Sequence, residues 1–471
     1  MNDVTILLLG ATGDLARRKL LPALYSLWRE KKIEKCLIIG AAREKDATVA
    51  QIAEATRPYI QRGFDDTAWR DFVGTLVYEP IDFSVEEDFT QLARTIDILE
   101  SERGLSGNRL VYVASASTFY CGITEKLSAS GLVKKQTVGH QTTGSHVWHR
   151  IIYEKPFGWD LASAHAINAC IAQHFNEKQI YRIDHYLTKE LASNIALIRF
   201  SNCVLEPLWN NRYIDQVQIV LSEKMGIQNR GLYYDEYGAL RDVVQNHLYE
   251  LLALVCMEAP EKLEGDSIRE QRAQVLKKVR FVDGILGQYA GYLDEQYVKK
   301  DSRTETFAAL QLMVDNPRWA GVPFFLKTGK NLGKHETMIH IKFKQVDCLL
   351  AKQCPSDANY LTIQLSPEER FTLTLNVRRP GPEQELVPMH MDYCHSCNFA
   401  LITPTPHEAL IDEVIKGDQS VSVRCDEIES AWKSIDGIYA QGLPLYTYEP
   451  GTAGPKELED FSNKHGMRWR S

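Results

Sequence analysis

The chain has 471 residues, of which 44% are hydrophobic and 25% charged, with a formal net charge of −8 at pH 7. This length exceeds what one hydrophobic core supports, so at least two domains are expected in a globular chain of ordinary composition. The acidic balance argues against nucleic acid or an anionic membrane as the main partner, and the longest apolar runs are too short for a membrane span. A strand follows the first three residues, so we expect no signal peptide and a cytoplasmic protein.

The first predicted unit is a strand, a glycine-containing turn and a helix. Residues 5–9 are continuously apolar, as in a buried parallel strand. Small residues at Gly10, Gly13 and Ala16 would permit a tight turn, close approach of the backbone to a pyrophosphate and close helix packing. The G-x-x-G-x-x-A spacing departs from G-x-G-x-x-G, but its place after the first strand predicts dinucleotide binding. The turn residues predicted to contact the cofactor are Gly10, Ala11, Thr12, Gly13, Asp14 and Leu15.

The second strand, at residues 35–40, is followed by Arg43 close to its tip. NAD sites usually place a carboxylate here to bind the ribose 2′-hydroxyl. The planar, permanently charged guanidinium of Arg43 instead suits a 2′-phosphate, which favours NADP. Glu44 follows directly and could also reach a ribose hydroxyl, so NAD or dual use stays open.

Four further strands alternate with helical patterns in the first half of the chain. The six strands are predicted at residues 5–10, 35–40, 75–81, 109–114, 149–153 and 179–183. This alternation predicts a doubly wound parallel sheet, whose ligands bind outside the carboxyl ends of the strands. The glycine turn, the Glu-Lys-Pro-Phe-Gly segment at residues 154–158 and Asp184 should therefore face one crevice. Lys155 precedes a proline, which restricts it to an extended backbone.

The stretch at residues 178–190 ends the sixth strand and is predicted to open a helix. In the first helical turn, free backbone N–H groups and the helix dipole favour anions. His185 and Lys189 are then neighbours four residues apart, and Tyr186 lies three residues before Lys189. A cation, an imidazole and a phenol on one face of a helix N-terminus can hold a phosphate. Asp184 points the other way and is free to orient a second group.

The second half changes to segments in which polar and apolar residues alternate. They lie at residues 216–221, 337–343, 360–364 and 370–377. Such alternation is typical of antiparallel strands with one wet face. We therefore predict an α/β Rossmann-type doubly wound domain at residues 1–183, followed by an α+β domain with a large, mainly antiparallel sheet at residues 184–471.

Residues 239–255 form a strongly apolar predicted helix that nevertheless contains Arg241, Asp242 and His247. Buried polar groups need partners. His247 is either a core histidine with satisfied hydrogen bonds or a general base whose second nitrogen is held by a carboxylate. An imidazole suits the second role because its unperturbed pKa lies near neutrality.

Ten cysteines are scattered along the chain, and eight of them stand alone. In a cytosolic chain these are interpreted as small buried hydrophobes. The pair Cys394 and Cys397 has C-x-x-C spacing close to His390, but one such pair is weak evidence for zinc or redox chemistry. We therefore predict no metal site and leave the role of this pair open.

Taken together, these residues resemble the glucose-6-phosphate dehydrogenase family over almost the whole chain. The most specific match is the Arg-Ile-Asp-His-Tyr-Leu-Thr-Lys-Glu run at residues 182–190. Other matching stretches lie at residues 10–16, 154–158, 206–210, 241–248, 304–308, 318–323, 417–419 and 431–432.

This resemblance implies oxidation of β-D-glucose 6-phosphate at C1 to 6-phosphoglucono-δ-lactone, with hydride passing to NADP. It implies that His247 takes the C1 hydroxyl proton, that Asp184 orients the imidazole, and that Lys155 contacts the substrate and the nicotinamide side. The implied substrate ligands are His185, Tyr186, Lys189, Glu223, Asp242 and Lys330. The implied cofactor contacts beyond the glycine turn are Arg43, Asp82, Phe83 and Lys155. The family also implies a homodimer or homotetramer formed through the second domain.

Three departures from the family pattern leave alternatives open. Residues 114–119 lack the usual prolines, residues 451–455 read Gly-Thr-Ala-Gly-Pro, and His335 occupies the place of an expected second substrate-binding lysine. One alternative is an NAD(P)-dependent dehydrogenase of another hexose or hexose phosphate. The other is a non-catalytic NADPH-binding paralogue, against which the combination of His247, Asp184 and Lys155 argues, since a sensor needs no base.

Overall fold

The computed structural model describes residues 3–60, 62–136, 147–188, 190–345, 358–381, 386–394, 397, 399 and 403–470, with only the backbone described at 190–193. Two compact units divide the chain. Unit 1 comprises Met1–Thr188, Glu264–Arg269 and Pro404–Cys425, and unit 2 comprises Lys189–Leu263, Glu270–Thr403 and Asp426–Ser471.

Unit 1 contains a seven-stranded sheet. Its strands are β1 (Asp3–Leu9), β2 (Lys35–Ala42), β3 (Leu76–Pro80), β4 (Arg109–Val113), β5 (His149–Tyr153), β6 (Ile180–Ile183) and β15 (Ser422–Val423). Their order is β15-β6-β5-β4-β1-β2-β3, and all pairs are parallel except β15 with β6. The predicted parallel sheet is confirmed, and residues 4–9 of its central strand are buried because helices cover both faces.

The helices of unit 1 alternate with these strands. They are α1 (Leu21–Arg29), α2 (Val49–Thr56), α3 (Asp66–Val73), α4 (Glu86–Arg103), α5 (Tyr120–Ala129), α6 (Leu161–His174) and α11 (Pro406–Lys416). A short π-helical segment, Ala16–Leu20, precedes α1 directly. The helix α10 (Gly265–Leu276) begins among the residues of unit 1 and ends among those of unit 2.

Residues 404–425 return to unit 1, which differs from the predicted single boundary after Ile183. The α11 side chains of Leu410, Ile411 and Val414 belong to the same apolar core as α1. Arg150 in β5 donates hydrogen bonds to the carbonyls of Val414 and Ile415 at 2.6 and 2.7 Å. These contacts join residues more than 200 positions apart, and local sequence patterns carry no signal for such pairings.

Unit 2 contains a nine-stranded sheet. Its strands are β7 (Ile214–Ser222), β8 (Val279–Tyr289), β9 (Phe307–Val314), β10 (Phe324–Gly329), β11 (Glu336–Phe343), β12 (Tyr360–Ser366), β13 (Arg370–Arg378), β14 (Leu386–Cys394) and β16 (Leu445–Tyr448). Their order is β14-β13-β12-β11-β7-β10-β9-β8-β16. The pairs β7–β10 and β8–β16 are parallel and the others antiparallel, which confirms the predicted mainly antiparallel sheet.

The described helices of unit 2 are α7 (Glu190–Phe200), α8 (Gly231–Ala239), α9 (Tyr249–Cys256), α12 (Cys425–Tyr439) and α13 (Glu457–Lys464), with α10 shared as above. Between α8 and α9, residues Leu240–Leu248 are π-helical. The helix predicted for residues 239–255 is therefore confirmed, although its first part is π-helical rather than α-helical. Gly238, with φ +66°, separates this helix from the preceding turns of α8. Among the described residues, no helix combines the length and apolarity needed to cross a bilayer.

Candidate active site

The glycine turn after β1 is held against the ends of two neighbouring strands. The backbone N–H groups of Gly10 and Ala11 donate to the carbonyl of Ala41 at 2.7 and 3.2 Å, and the Gly13 N–H donates to the Gly10 carbonyl. Gly10 has φ +99°, and a Cβ there would lie 2.5 Å from the Ala114 carbonyl oxygen. Only glycine therefore fits this turn, which leaves the backbone bare where a pyrophosphate would approach.

Two side chains near this turn, those of Thr12 and Tyr78, form hydrogen bonds to Glu44, which follows β2. The Thr12 hydroxyl donates to the Glu44 carboxylate at 2.8 Å, and the Tyr78 hydroxyl donates to the Glu44 carbonyl at 2.6 Å. Burial and then the Glu44 charge raise the pKa of Tyr78. Asp14 pairs with Arg17 and Arg18 at 2.6 and 2.8 Å. The Glu44 carboxylate, the alternative ribose ligand, is thus engaged by the glycine turn itself.

Arg43 and Asp82 lie near each other beyond the ends of β2 and β3. The Asp82 carboxylate accepts hydrogen bonds from the Ser84 backbone and hydroxyl at 2.8 and 2.7 Å. These bonds lower the pKa of Asp82, and the charges of Arg43 and Lys126 lower it further. The neighbouring Phe83 is half-buried, and Arg43 is exposed, so its guanidinium is accessible to an anion. A bare glycine turn and an exposed cation at the β2 tip fit a phosphorylated dinucleotide.

Lys155 follows β5 and is preceded directly by Glu154, whose carboxylate and carbonyl are both hydrogen-bonded. The hydroxyl of Tyr112 donates to the Glu154 carboxylate, and the hydroxyl of Tyr120 donates to the Glu154 carbonyl. Burial raises the pKa of Glu154, while the adjacent Lys155 opposes that rise. The peptide bond from Lys155 to Pro156 is cis. These contacts hold the backbone that carries Lys155.

The turn after β6 places Asp184 inside and His185 outside. Asp184 is 2% exposed, and its carboxylate accepts the Tyr186 N–H at 2.8 Å. The exposed His185 ring lies 4.7 Å from the ring of Tyr186, and its carbonyl accepts the Thr188 hydroxyl. The predicted helix start is wrong for these residues, because side chains satisfy the backbone locally and α7 begins only at Glu190. Lys189 lies outside the described residues.

In unit 2, the side chain of Lys330, which follows β10, contacts the carboxylates of Glu223 and Asp242. Its ammonium binds the Glu223 carboxylate and lies 3.7 Å from an Asp242 oxygen. The Tyr233 hydroxyl donates to Asp242 at 3.3 Å, and the ring of Tyr234 lies 5.5 Å from the Lys330 nitrogen. The structure thus brings together Glu223, Asp242 and Lys330, a set of donors and acceptors that matches sugar hydroxyls.

His247 lies in the π-helical segment, five residues after Asp242. It is 3% exposed, and its backbone N–H donates to the Asn246 side-chain oxygen at 2.7 Å. In an α-helix, at about 100° per residue, positions 242 and 247 would point about 140° apart. Bonding from residue i to i+5 instead stacks them on adjacent turns, so both side chains share one side of the helix. The pairing of His247 with Asp184 would join the two units and stays a prediction.

His335 lies at the surface just before β11, in unit 2. Its Nε2 atom is 3.3 Å from the hydroxyl of Ser366, at the end of β12. This contact ties the ring to the neighbouring strand. A direct role of His335 in binding substrate stays a prediction.

Two predictions about lone cysteines are wrong, one at Cys121 and Cys170 and the other at Cys203. Cys121 and Cys170, predicted as separate buried thiols, form a disulfide because α5 and α6 bring their Cα atoms within 5.9 Å. Cys394 and Cys397 also form a disulfide, so both sulfurs are bonded to each other. Cys203 is exposed, whereas burial was predicted.

Sequence reasoning missed Glu305, Tyr233 and Gly238. Glu305 is buried, and its carboxylate accepts the backbone N–H of Leu240 at the start of the π-helical segment. The available signal was its place in the matching stretch at residues 304–308. The contact itself joins distant parts of the chain, so no local pattern indicated it.

Comparisons with known proteins agree over the full length. The model of the glucose-6-phosphate dehydrogenase NAD binding domain matches residues 7–194, and that of its C-terminal domain matches residues 196–470. Glucose-6-phosphate 1-dehydrogenase of Bacillus subtilis is 38% identical, over 98% of this chain and 97% of that protein. Glucose-6-phosphate 1-dehydrogenase 6, cytoplasmic, of Arabidopsis thaliana is 36% identical, over 99% of this chain and 93% of that protein.

Solved structures give the same result. A structure of glucose-6-phosphate dehydrogenase in complex with its substrate glucose-6-phosphate has a TM-score of 0.90 at 32% identity, covering 99% of this chain and 98% of that one. Glucose-6-phosphate 1-dehydrogenase from Mycobacterium avium has a TM-score of 0.86 at 31% identity, with the same coverage of both chains.

Proposed function

The chain belongs to the glucose-6-phosphate dehydrogenase family, and we propose that it oxidises β-D-glucose 6-phosphate at C1 to 6-phospho-D-glucono-1,5-lactone with NADP. This is the first step of the oxidative pentose phosphate pathway. The observation that carries the proposal is the cluster that Lys330 forms with Asp242 and Glu223, with His247 on the same side of the helix as Asp242. Lys330 and Asp242 are buried, and Glu223 is half-buried.

In this reaction His247 is the general base. Its neutral imidazole accepts the proton of the C1 hydroxyl as the C1–H bond breaks, and a histidine near neutrality suits that step. Asp184 orients the ring and stabilises the imidazolium that forms. The acceptor for the hydride that leaves C1 would be supplied by bound NADP. Lys155 contacts the substrate and the nicotinamide side.

The remaining residues hold the two ends of the sugar phosphate. His185, Tyr186 and Lys189 bind the phosphate, and His185 is exposed. Glu223 and Asp242 accept hydrogen bonds from sugar hydroxyls, and Lys330 donates to a hydroxyl oxygen. His335 takes the place of a second binding lysine.

NADP rather than NAD is supported by the charges at the β2 tip. Arg43 is exposed there, while the Glu44 carboxylate accepts the Thr12 hydroxyl. A guanidinium attracts a 2′-phosphate, whereas the ribose 2′-hydroxyl of NAD is usually met by a carboxylate. Asp82 and Phe83 then contact the adenosine side.

We also propose a cytoplasmic homodimer or homotetramer. The β13–β14 hairpin at the sheet edge exposes one apolar face, with Met389, Met391 and Tyr393 of β14 at 54%, 59% and 42% exposure beside Leu375 of β13. Exposed apolar groups of this extent mark protein interfaces, and a second copy would cover this face isologously. A cytoplasmic location is supported by the name of the Arabidopsis thaliana relative.

The oligomer is tested by sedimentation velocity. Met391→Asp should lower the sedimenting mass, because a charge on the apolar face opposes burial. Met225→Asp is the matched control, since Met225 is 61% exposed outside the hairpin and should leave the mass unchanged. Equal masses for both variants and the unsubstituted chain would contradict this interface.

The activity is tested by initial rates with glucose 6-phosphate, glucose, galactose 6-phosphate and glucosamine 6-phosphate, each with NADP and with NAD. We expect the highest kcat/KM with glucose 6-phosphate and NADP. A higher value with another sugar would support the alternative dehydrogenase. Cofactor binding without turnover of any sugar would support a non-catalytic paralogue.

A further inference from the structure

Glu305 is a buried carboxylate just before β9, and it makes three contacts with the start of the π-helical segment and its surroundings. One oxygen accepts the Leu240 backbone N–H and the Tyr439 hydroxyl, each at 2.9 Å. The Glu305 carbonyl accepts the Ala239 N–H at 2.9 Å. Because an unpaired buried carboxylate is costly, these donors stabilise it where it lies.

The π-helical segment needs this acceptor at its N-terminus. The first N–H groups of a helix lack intrahelical partners, and the residue before this segment, Ala239, offers no side-chain oxygen. Glu305 supplies the oxygen from a distant part of the chain. Its negative charge also interacts favourably with the positive end of the helix dipole.

Gly238 makes room for the Glu305 carboxylate. A Cβ at position 238 would lie 2.5 Å from one oxygen of Glu305 and 2.8 Å from the other. The backbone there also has φ +66°, which glycine adopts without strain. The carboxylate can therefore occupy this place only because residue 238 has no side chain.

The segment formed by Glu305 and Thr306 also contacts Lys330 through a backbone hydrogen bond. The carbonyl of Thr306, next to Glu305, accepts the Lys330 backbone N–H at 2.9 Å. The Tyr448 hydroxyl donates to the Lys330 carbonyl at 2.6 Å. Residues 305 and 306 therefore contact both the helix that carries Asp242 and His247 and the strand end that carries Lys330.

We propose that Glu305 is a positioning residue for the reaction: by capping the π-helical segment it sets the place of Asp242 and His247 relative to Lys330. Glu305 does not touch substrate in this scheme. The inference rests on the proposed function, because His247 as base and Lys330 as sugar ligand define what is being positioned.

The test uses the full chain and three substitutions. Glu305→Ala removes the acceptor, Glu305→Gln keeps an oxygen for the Leu240 N–H, and Gly238→Ala places a Cβ against the carboxylate. Glu427→Gln is the control, because Glu427 is a buried carboxylate of unit 2 bonded to Arg272 at 2.8 Å. It should lower Tm without a selective effect on kcat.

For Glu305→Ala we expect kcat for glucose 6-phosphate to fall about 100-fold, the usual effect of displacing a base by about 1 Å. KM for NADP should stay unchanged, since the cofactor residues belong to unit 1. Glu305→Gln should recover kcat to within about tenfold of the unsubstituted chain, as the hydrogen bond remains without its charge. Gly238→Ala should resemble Glu305→Ala.

A Glu305→Ala variant that keeps full kcat and loses only Tm, as the control does, would overturn the inference. If Glu305→Ala does not fold, the comparison of Glu305→Gln with Gly238→Ala tests the inference instead. Equal losses of kcat in these two variants would also overturn the positioning role of Glu305. Hydrogen exchange of residues 238–248 needs no turnover and should rise in Glu305→Ala but not in Glu305→Gln. That measurement separates this inference from the proposed function, which fails only if the unsubstituted chain does not oxidise glucose 6-phosphate.

Discussion

The ammonium of Lys330 lies 3.7 Å from the carboxylate of Asp242, and both side chains are buried in unit 2. Glu223 binds the same ammonium, so one cation faces two acidic partners. Burying such charges is costly unless each is paired, and removal of one partner leaves the others uncompensated. The polar surface proposed for the sugar is therefore also part of what holds unit 2 together.

Replacing Lys330 by methionine should reduce both stability and substrate binding. We expect the free energy of unfolding to fall by about 3–5 kcal/mol, the range for breaking a buried ion pair. KM for glucose 6-phosphate should rise as well. Lys300→Met is the matched control, because the Lys300–Asp294 pair is exposed and such pairs contribute about 0–1 kcal/mol. Urea unfolding that shows equal losses in the two variants would contradict the buried cluster.

His247→Ala should lower kcat by about two to four orders of magnitude, the usual scale for a general base. His340→Ala is the control variant, because His340 on β11 is another buried histidine of unit 2. Its ring is hydrogen-bonded to the hydroxyl of Thr362 on β12 at 2.9 Å. We expect His340→Ala to keep a kcat close to that of the unsubstituted chain. Near-normal turnover in His247→Ala, measured by NADPH absorbance, would reject the base assignment.

Arg43→Ala should impair the use of NADP far more than that of NAD. Loss of a charged hydrogen bond to the 2′-phosphate costs about 1.5–3 kcal/mol, so KM for NADP should rise about 10- to 100-fold. Arg57→Ala is the control, because Arg57 is an exposed arginine of unit 1 paired with Asp66. Initial rates with both cofactors check this, and equal losses for NADP and NAD would argue against the role.

Acidification should destabilise the fold through His149. Its Nδ1 atom accepts the Lys134 N–H at 2.9 Å, so the ring is neutral in the native state. Burial, aided by nearby Arg109, lowers the pKa of His149 from 6.5 to about 4. Between pH 6.5 and about 4, the unfolded chain binds a proton at His149 that the folded chain does not. The stabilising contribution of the neutral ring is therefore complete above pH 6.5 and decreases as the pH is lowered towards 4, by up to about 3 kcal/mol.

His149→Gln should therefore flatten the dependence of unfolding free energy on pH between 6.5 and about 4. The control is His165→Gln on α6, because His165 is exposed. Urea unfolding at several pH values checks this. A slope unchanged from that of the unsubstituted chain would show that His149 is not buried in its neutral form.

Much of the fold followed from local patterns. Continuous apolar runs predicted the parallel strands of unit 1, and alternation predicted β7, β11, β12 and β13 of unit 2. The grouping of Glu223, Asp242 and Lys330 also appeared among the residues implied by the family resemblance, and the structure brings them together. The helix start after Asp184 was wrong, because the local hydrogen bond to Tyr186 competes with helix formation.

The sequence by itself determined the element types, the glycine turn at Gly10 and the family, because each depends on residues close together along the chain. Only the tertiary structure decided that residues 404–425 return to unit 1, that Cys121 meets Cys170, and that Glu305 caps the helix of His247. The physical reason is that these contacts depend on burial and hydrogen-bond geometry between distant segments. Periodicity and turn chemistry describe only neighbours and therefore contain no record of them.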